Sequence, residues 1–178
     1  MKVSVFVSIL VVLIAGLFSS LSSADDNLAR FKGGIGVIPV SAGVGTAATA
    51  EVVNRNIVRE IQPPGQLWRI SDLNARIKTN GDIKVEGKGL VLAGGNNAGR
   101  ATGQFVFATL ICESMAPFIE HNTDTAGVPL AANGDFKIDD VLSPIPTADC
   151  ASPMLLIRTA GSGNWFAAGI LVTDKNND

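Results

Sequence analysis

The strongest constraint on this chain is a turn. Thr79-Asn80-Gly81-Asp82 separates two runs in which apolar and polar residues alternate. Before it, Leu73, Ala75 and Ile77 share one parity, and Asn74, Arg76 and Lys78 share the other. After it, Ile83, Val85, Gly87 and Gly89 fall on one face, with Lys84, Glu86 and Lys88 opposite. A period of two marks a half-buried strand. Asn-Gly between two such runs predicts a two-residue hairpin turn, in which both central residues take positive φ. The pattern returns 53 residues later, where Asn133-Gly134-Asp135 leads into Phe136 and Ile138 inward, Lys137 and Asp139 outward. From Asn80 to Glu86 and from Asn133 to Asp139 the residues match in type at each position. An internal duplication is one explanation. The simpler one is that any such turn with a half-buried return strand looks like this, and the flanks, which do not extend the match, favour it.

The rest of the chain reads in the same idiom. Ile35 to Val40 is predicted as a first strand, and Pro39 inside it places that strand at an edge. Residues 41–50 are small and Gly-rich, a loop. Residues 51–61 form a strand that Gln62-Pro63-Pro64-Gly65 stops. Trp68 and Ile70 have the opposite parity to Leu73, so a bulge or bend is predicted near Ser71-Asp72. Residues 104–112 are apolar on both parities, which predicts a central strand covered on both faces. Residues 113–127 are irregular, and two further strands run over 154–159 and 165–173. With 19 glycines and few helical patterns, the chain is expected to be all-β. The predicted architecture is an antiparallel β-sandwich, jelly-roll or immunoglobulin-like, of about 8–9 strands, with a closed β-barrel as the alternative.

The N-terminus predicts export. Lys2 precedes an uncharged apolar run from Val3 to Phe18, then Ser19 to Ser23 and Ala24, then Asp25 and Asp26. That is the order of a secretory signal, with Ser22 and Ala24 at −3 and −1 of a cut. As a retained anchor the run is slightly short of the ~20 residues a spanning helix needs, and it lacks a basic stop-transfer flank. The expected organisation is a signal peptide at 1–24 and one β domain at 25–178, its core over about 31–173, in an extracellular or periplasmic setting. In that setting Cys112 and Cys150, the two cysteines of the chain, are expected to form a disulfide.

Removing Lys2 turns 14 basic residues into 13 against 16 acidic ones, a net charge of −3. No basic block remains, so nucleic acid is not an expected partner, and neither is a membrane once the signal is cut. Catalytic patterns are scarce. His121 is the single histidine and has no Gly-x-Ser-x-Gly elbow to serve; a solvated loop side chain is the expectation. No zinc ligand cluster exists, and no metal or cofactor is expected. Asp135, Asp139 and Asp140 around the second hairpin are calcium candidates, with Asp82 and Glu86 in the matching places of the first, and Asp135 suits its turn without a metal. For ligand contact the candidates are Asn96, Asn97 and Arg100 in the loop at 94–103, whose side chains present hydrogen-bond donors. Trp68 and Trp165 follow if exposed, although strand indoles are ordinarily core. The expected function is non-enzymatic: a binding or surface-structural module for a glycan or protein ligand. The alternative is a secreted hydrolase acting through paired carboxylates. A third idea, assembly by strand addition, would use the edge predicted at residues 33–40.

Overall fold

A computed structural model describes residues 26–44, 52–147 and 149–173. The expected signal segment, residues 45–51, residue 148 and the tail beyond Thr173 lie outside the described residues. The strands, in chain order, are Asn27–Gly36 (β1), Val40–Val44 (β2), Val52–Arg55 (β3), Trp68–Arg69 (β4), Asp72–Lys78 (β5), Asp82–Lys88 (β6), Val91–Leu92 (β7), Phe105–Ile111 (β8), His121–Asn122 (β9), Val128–Pro129 (β10), Phe136–Val141 (β11), Met154–Thr159 (β12) and Trp165–Leu171 (β13). No helix interrupts them among the described residues. The all-β antiparallel class expected from the alternating runs is therefore the one adopted.

Nine strands form one sheet in the order β10-β8-β12-β13-β1-β5-β6-β11, with β9 also on β8. The pairs β2–β3 and β4–β7 make two small sheets. The large sheet curls until its ends meet: Asn122 of β9 and Ser143, just past β11, exchange backbone hydrogen bonds of 2.9 and 2.8 Å. One continuous sheet thus wraps the core that a sandwich encloses between two leaves, and its closure approaches the barrel. Inside lie Phe31, Leu73, Ile77, Ile83, Leu110 and Leu156, each essentially without solvent contact. The six residues after Phe105 in β8 are all buried, as expected of a central strand.

The first hairpin forms as β5–β6. The second Asn-Gly-Asp segment forms its turn, but its flanking strands do not pair with each other, since β10 pairs with β8 and β11 with β6. Both turns differ from the one expected. The register pairs Ile77 with Ile83, and the Gly81 N–H donates to the Lys78 carbonyl at 3.0 Å. Three residues, not two, close the turn, and only Gly81 has positive φ (89°). This is the type I turn followed by a left-handed residue, which forms a bulge. The Asn80 side chain settles the choice: its Oδ1 accepts from the Asp82 N–H at 3.0 Å, a bond that holds Asn80 out of the left-handed region the shorter turn needs. The second tip repeats each feature, with Gly134 at φ 85°, its N–H on the Ala131 carbonyl at 2.8 Å and Asn133 Oδ1 on the Asp135 N–H at 3.1 Å.

The two matching segments also pair with each other. β11 lies antiparallel on β6, with Ile138 opposite Val85, Asp139 opposite Lys84 and Lys137 opposite Glu86. The Lys84–Asp139 and Lys137–Glu86 ion pairs close at 2.8 and 2.7 Å. A local two-fold therefore relates the segments, and each lysine meets the other segment's acid.

The first strand departs from expectation. β1 starts at Asn27 and ends at Gly36, and it is interior, hydrogen-bonded to β5 on one side and β13 on the other. Ala29 and Phe31 point in while Arg30 and Lys32 point out, an alternation legible upstream of the apolar run at 35–40. Gly33, at φ 87°, makes the bulge where pairing passes from β5 to β13. Pro39 lies after this strand, so the edge proposed for strand addition at residues 33–40 is not an edge over β1. Of the loop placed at 41–50, residues 41–44 are instead strand, in β2, which pairs with β3; the rest of it lies outside the described residues.

Cys112 and Cys150 are bonded, 4.6 Å apart at Cα. Beside them the chain turns at Arg59 and Glu60, both at positive φ (47° and 69°), a region side-chain-bearing residues rarely occupy. What holds that turn is the Arg59 guanidinium, which donates to the Ile111 carbonyl at 2.8 Å, the Ser152 carbonyl at 2.7 Å and Ser152 Oγ at 2.8 Å. It thereby clamps the strand ends that the disulfide joins.

Candidate functional site

Three segments far apart in sequence converge on one groove of about 380 Å³. Its floor is an aromatic pair. The Trp68 N–H donates to the Val37 carbonyl at 3.0 Å, and β4 pairs with β7, which together fix the indole over the core. There it stacks on Phe166 of β13, centroids 4.1 Å apart and planes 13° from parallel. Both rings are buried, 5% and 3% exposed, so they support the groove more than they face into it.

The rim is polar and uncharged. Pro64, Gly65 and Gln66 come from the segment before β4; Asn97, Thr102 and Gln104 from the glycine-rich loop; Thr159, Ser162 and Asn164 from the β12–β13 turn. The loop is folded back on β7: the Gly99 N–H donates to the Leu92 carbonyl at 2.8 Å, and the Leu92 N–H to the Arg100 carbonyl at 3.1 Å. Thr102 on the rim has φ 55°, a conformation that costs a threonine free energy and tends to collect at ligand sites. The Gln104 side-chain oxygen, Oε1, accepts from Thr159 Oγ1 at 3.0 Å. Its amide nitrogen, and the side chains of Gln66, Asn97, Thr102, Ser162 and Asn164, make no hydrogen bond among the described residues. Elsewhere Asn56, Asn80, Asn122 and Asn133 all spend theirs on the fold.

Of the five ligand candidates, two belong here: Trp68 in the floor and Asn97 on the rim. Asn96 and Arg100 are exposed but do not line the groove. Trp165 is buried, and its indole N–H donates to the Asn56 carbonyl at 3.0 Å. Thr102 falls within the loop at 94–103 expected to meet a ligand, though unnamed there; sequence reasoning missed Gln66, Gln104, Ser162 and Asn164. None carries a local signal, since only the fold brings the segments together.

His121 is not the solvated side chain expected. It is 5% exposed, because β9 is pinned between β8 and Ser143. Its Nδ1 is 2.7 Å from the Pro144 carbonyl, so this nitrogen carries the proton. Nearby, burial alone would raise the Glu113 carboxyl. Backbone N–H groups, including that of Ile119 at 3.1 Å, together with His121, outweigh this and hold it below the ordinary carboxylate range. A depressed acid contributes stability that is present above its unfolded value of about 4.3 and lost as pH falls through the lower folded value. The Glu113→Gln variant should therefore melt below the parent at pH 7 and converge with it as pH falls through the lowered folded value. Melting curves across that range test this; a constant gap would assign the effect to packing.

The calcium candidates turn to separate protein partners. Asp135 Oδ1 accepts from the Gly89 N–H, Asp139 pairs with Lys84, and Asp140 accepts the N–H groups of Asp124 and Val141. Among the described residues no three potential metal ligands converge. A second concavity on the outer face of β5, β6 and β11 holds Asp82, Asp139 and Asp140. Asp82 is 3.6 Å from Lys78, and Asp139 is 2.8 Å from Lys84. No family model matches this chain, and neither a curated protein nor a solved structure matches it.

Proposed function

We propose that this chain is an exported, non-catalytic binding module whose groove takes an uncharged polyhydroxylated ligand, a neutral glycan segment. One observation carries the reading: six uncharged polar groups, without a hydrogen bond among the described residues, ring a concavity over a fixed aromatic floor. Hydroxyls both donate and accept, which suits amides and hydroxyls fixed by a sheet and its turns. Among the described residues the lining holds no carboxylate to serve as acid or base, which favours binding over hydrolysis. The disulfide accords with an oxidising compartment, and no helix among the described residues is long and apolar enough to cross a membrane.

The test is a neutral-oligosaccharide array, followed by calorimetry on the best binder. An N97A/Q104A double variant should weaken binding about tenfold, at roughly 0.5–1.5 kcal/mol per hydrogen bond. Absence of binding to any neutral oligosaccharide, or affinity unmoved by the double variant, overturns the reading. Release of shortened products from the array ligand would favour the hydrolase instead.

A further inference from the structure

Outside the groove, the outer face of β1 and β5 carries three cations without an ion partner among the described residues, one of which, Arg76, also lines the concavity that holds Asp82, Asp139 and Asp140. Arg30 lies directly opposite Arg76 in the β1–β5 register, and Lys32, two residues on, lies opposite Asn74. All three side chains are exposed. The lysines next to them have acids: Lys84 has Asp139, Lys137 has Glu86 and Lys78 has Asp82. Among the described residues Arg30, Lys32 and Arg76 form no ion pair. Like charges directly opposite on neighbouring strands destabilise a sheet. An acid at either position would remove that cost, and in a chain with more acidic than basic residues acids are not scarce.

We infer that this triad is a second binding surface, for a linear polysaccharide bearing carboxylates. Two guanidiniums side by side offer paired N–H forks to a carboxylate. Adjacent strands set the cations at intervals of about 4.8 Å, close to the length of one pyranose residue. Charges along a uronate chain can thus meet Arg30 and Arg76 in turn, with Lys32 beside them. Two features separate this ligand from nucleic acid. Three cations fall short of the ~6–10 phosphate contacts of a duplex binder. And no aromatic side chain stands among the outward residues of β1, β5 and β6, so single-stranded bases have no stacking platform. The surface shares no residue with the neutral groove, so either can fail without the other.

Affinity electrophoresis of the whole protein through gels containing polygalacturonate tests the proposal, with neutral dextran gels as reference. The parent should be retarded more by polygalacturonate than by dextran, and that excess should shrink as salt rises. The R30Q/R76Q double variant should lose at least tenfold in affinity, while N97A/Q104A should be retarded like the parent. The double variant should also melt no lower than the parent, since it removes a repulsive pair. If it fails to fold, the exposed Lys32→Gln variant, with an expected loss of about threefold, decides instead. No retardation of the parent, equal retardation of the charge variants, or tighter binding of duplex DNA than of polygalacturonate would each overturn it.

Discussion

Replacing Cys112 and Cys150 together with serine should lower the free energy of unfolding by about 4 kcal/mol, the largest loss expected from any pair of conservative substitutions here. The bond joins positions 38 residues apart, and closing a loop of that length removes much of the freedom of the unfolded chain. The loop holds β9, β10 and β11, which carry the sheet from β8 round to its far end. In the native state little is lost at the bond itself, since β8 and β12 stay paired from Met154–Ile111 onward. Arg59 keeps its hold on Ile111 and Ser152 as well. The deficit should therefore appear as an unchanged native structure with a lower denaturation midpoint. In urea titrations the parent in reductant and the double serine variant should share one midpoint, below that of the oxidised parent. A loss below about 1 kcal/mol would mean that the reduced, unfolded chain is already compact at this loop.

The Gly134→Ala variant should be nearly as damaging, by roughly 3 kcal/mol, although it adds a single methyl group. Two causes act at once. Gly134 has φ 85°, which suits glycine far better than any residue with a Cβ. A Cβ there would also lie 2.4 Å from the Leu90 carbonyl oxygen and 2.5 Å from its nitrogen. Those atoms belong to backbone, and the Leu90 N–H is bonded to the Gly134 carbonyl at 2.9 Å, so neither side yields without breaking the contact between the turn and the end of β6. Gly65 is the control: a Cβ there meets nothing within 4 Å, and Gly65→Ala should shift stability by less than about 0.5 kcal/mol. Equal losses at both positions, read from denaturant titrations, would show that glycine content and not geometry sets the cost.

Much of the fold was legible because alternation and burial report the same physical fact. Leu73, Ala75 and Ile77, then Ile83 and Val85, face inward as their parity predicts. The parity change near Ser71 is real, and it separates β4 from β5. What parity cannot show is which strand pairs with which. β1 went unread because Ala29 and Phe31 give a short alternation before a glycine bulge, while the apolar stretch after it drew attention to residues 35–40. The turn was misjudged for a chemical reason: Asn80 and Asn133 use their side chains to cap the backbone instead of entering the left-handed region. The groove was half legible. The glycine-rich loop and Trp68 stand out in sequence, whereas Gln66 and Asn164 are ordinary surface residues until β4 and β13 are side by side.

The paired segments of β6 and β11 have one further consequence, for errors in assembly. A slip of one residue would turn the apolar faces outward and is rejected by hydrophobicity. A slip of two preserves every face, so burial is blind to it. In one direction that slip sets Lys84 against Lys137; in the other it sets Glu86 against Asp139 and Lys88 against Lys137. Either way the observed attractions become repulsions. Alternating charge on the wet side thus works as a parity check, detecting the one misreading that the dry side would let through.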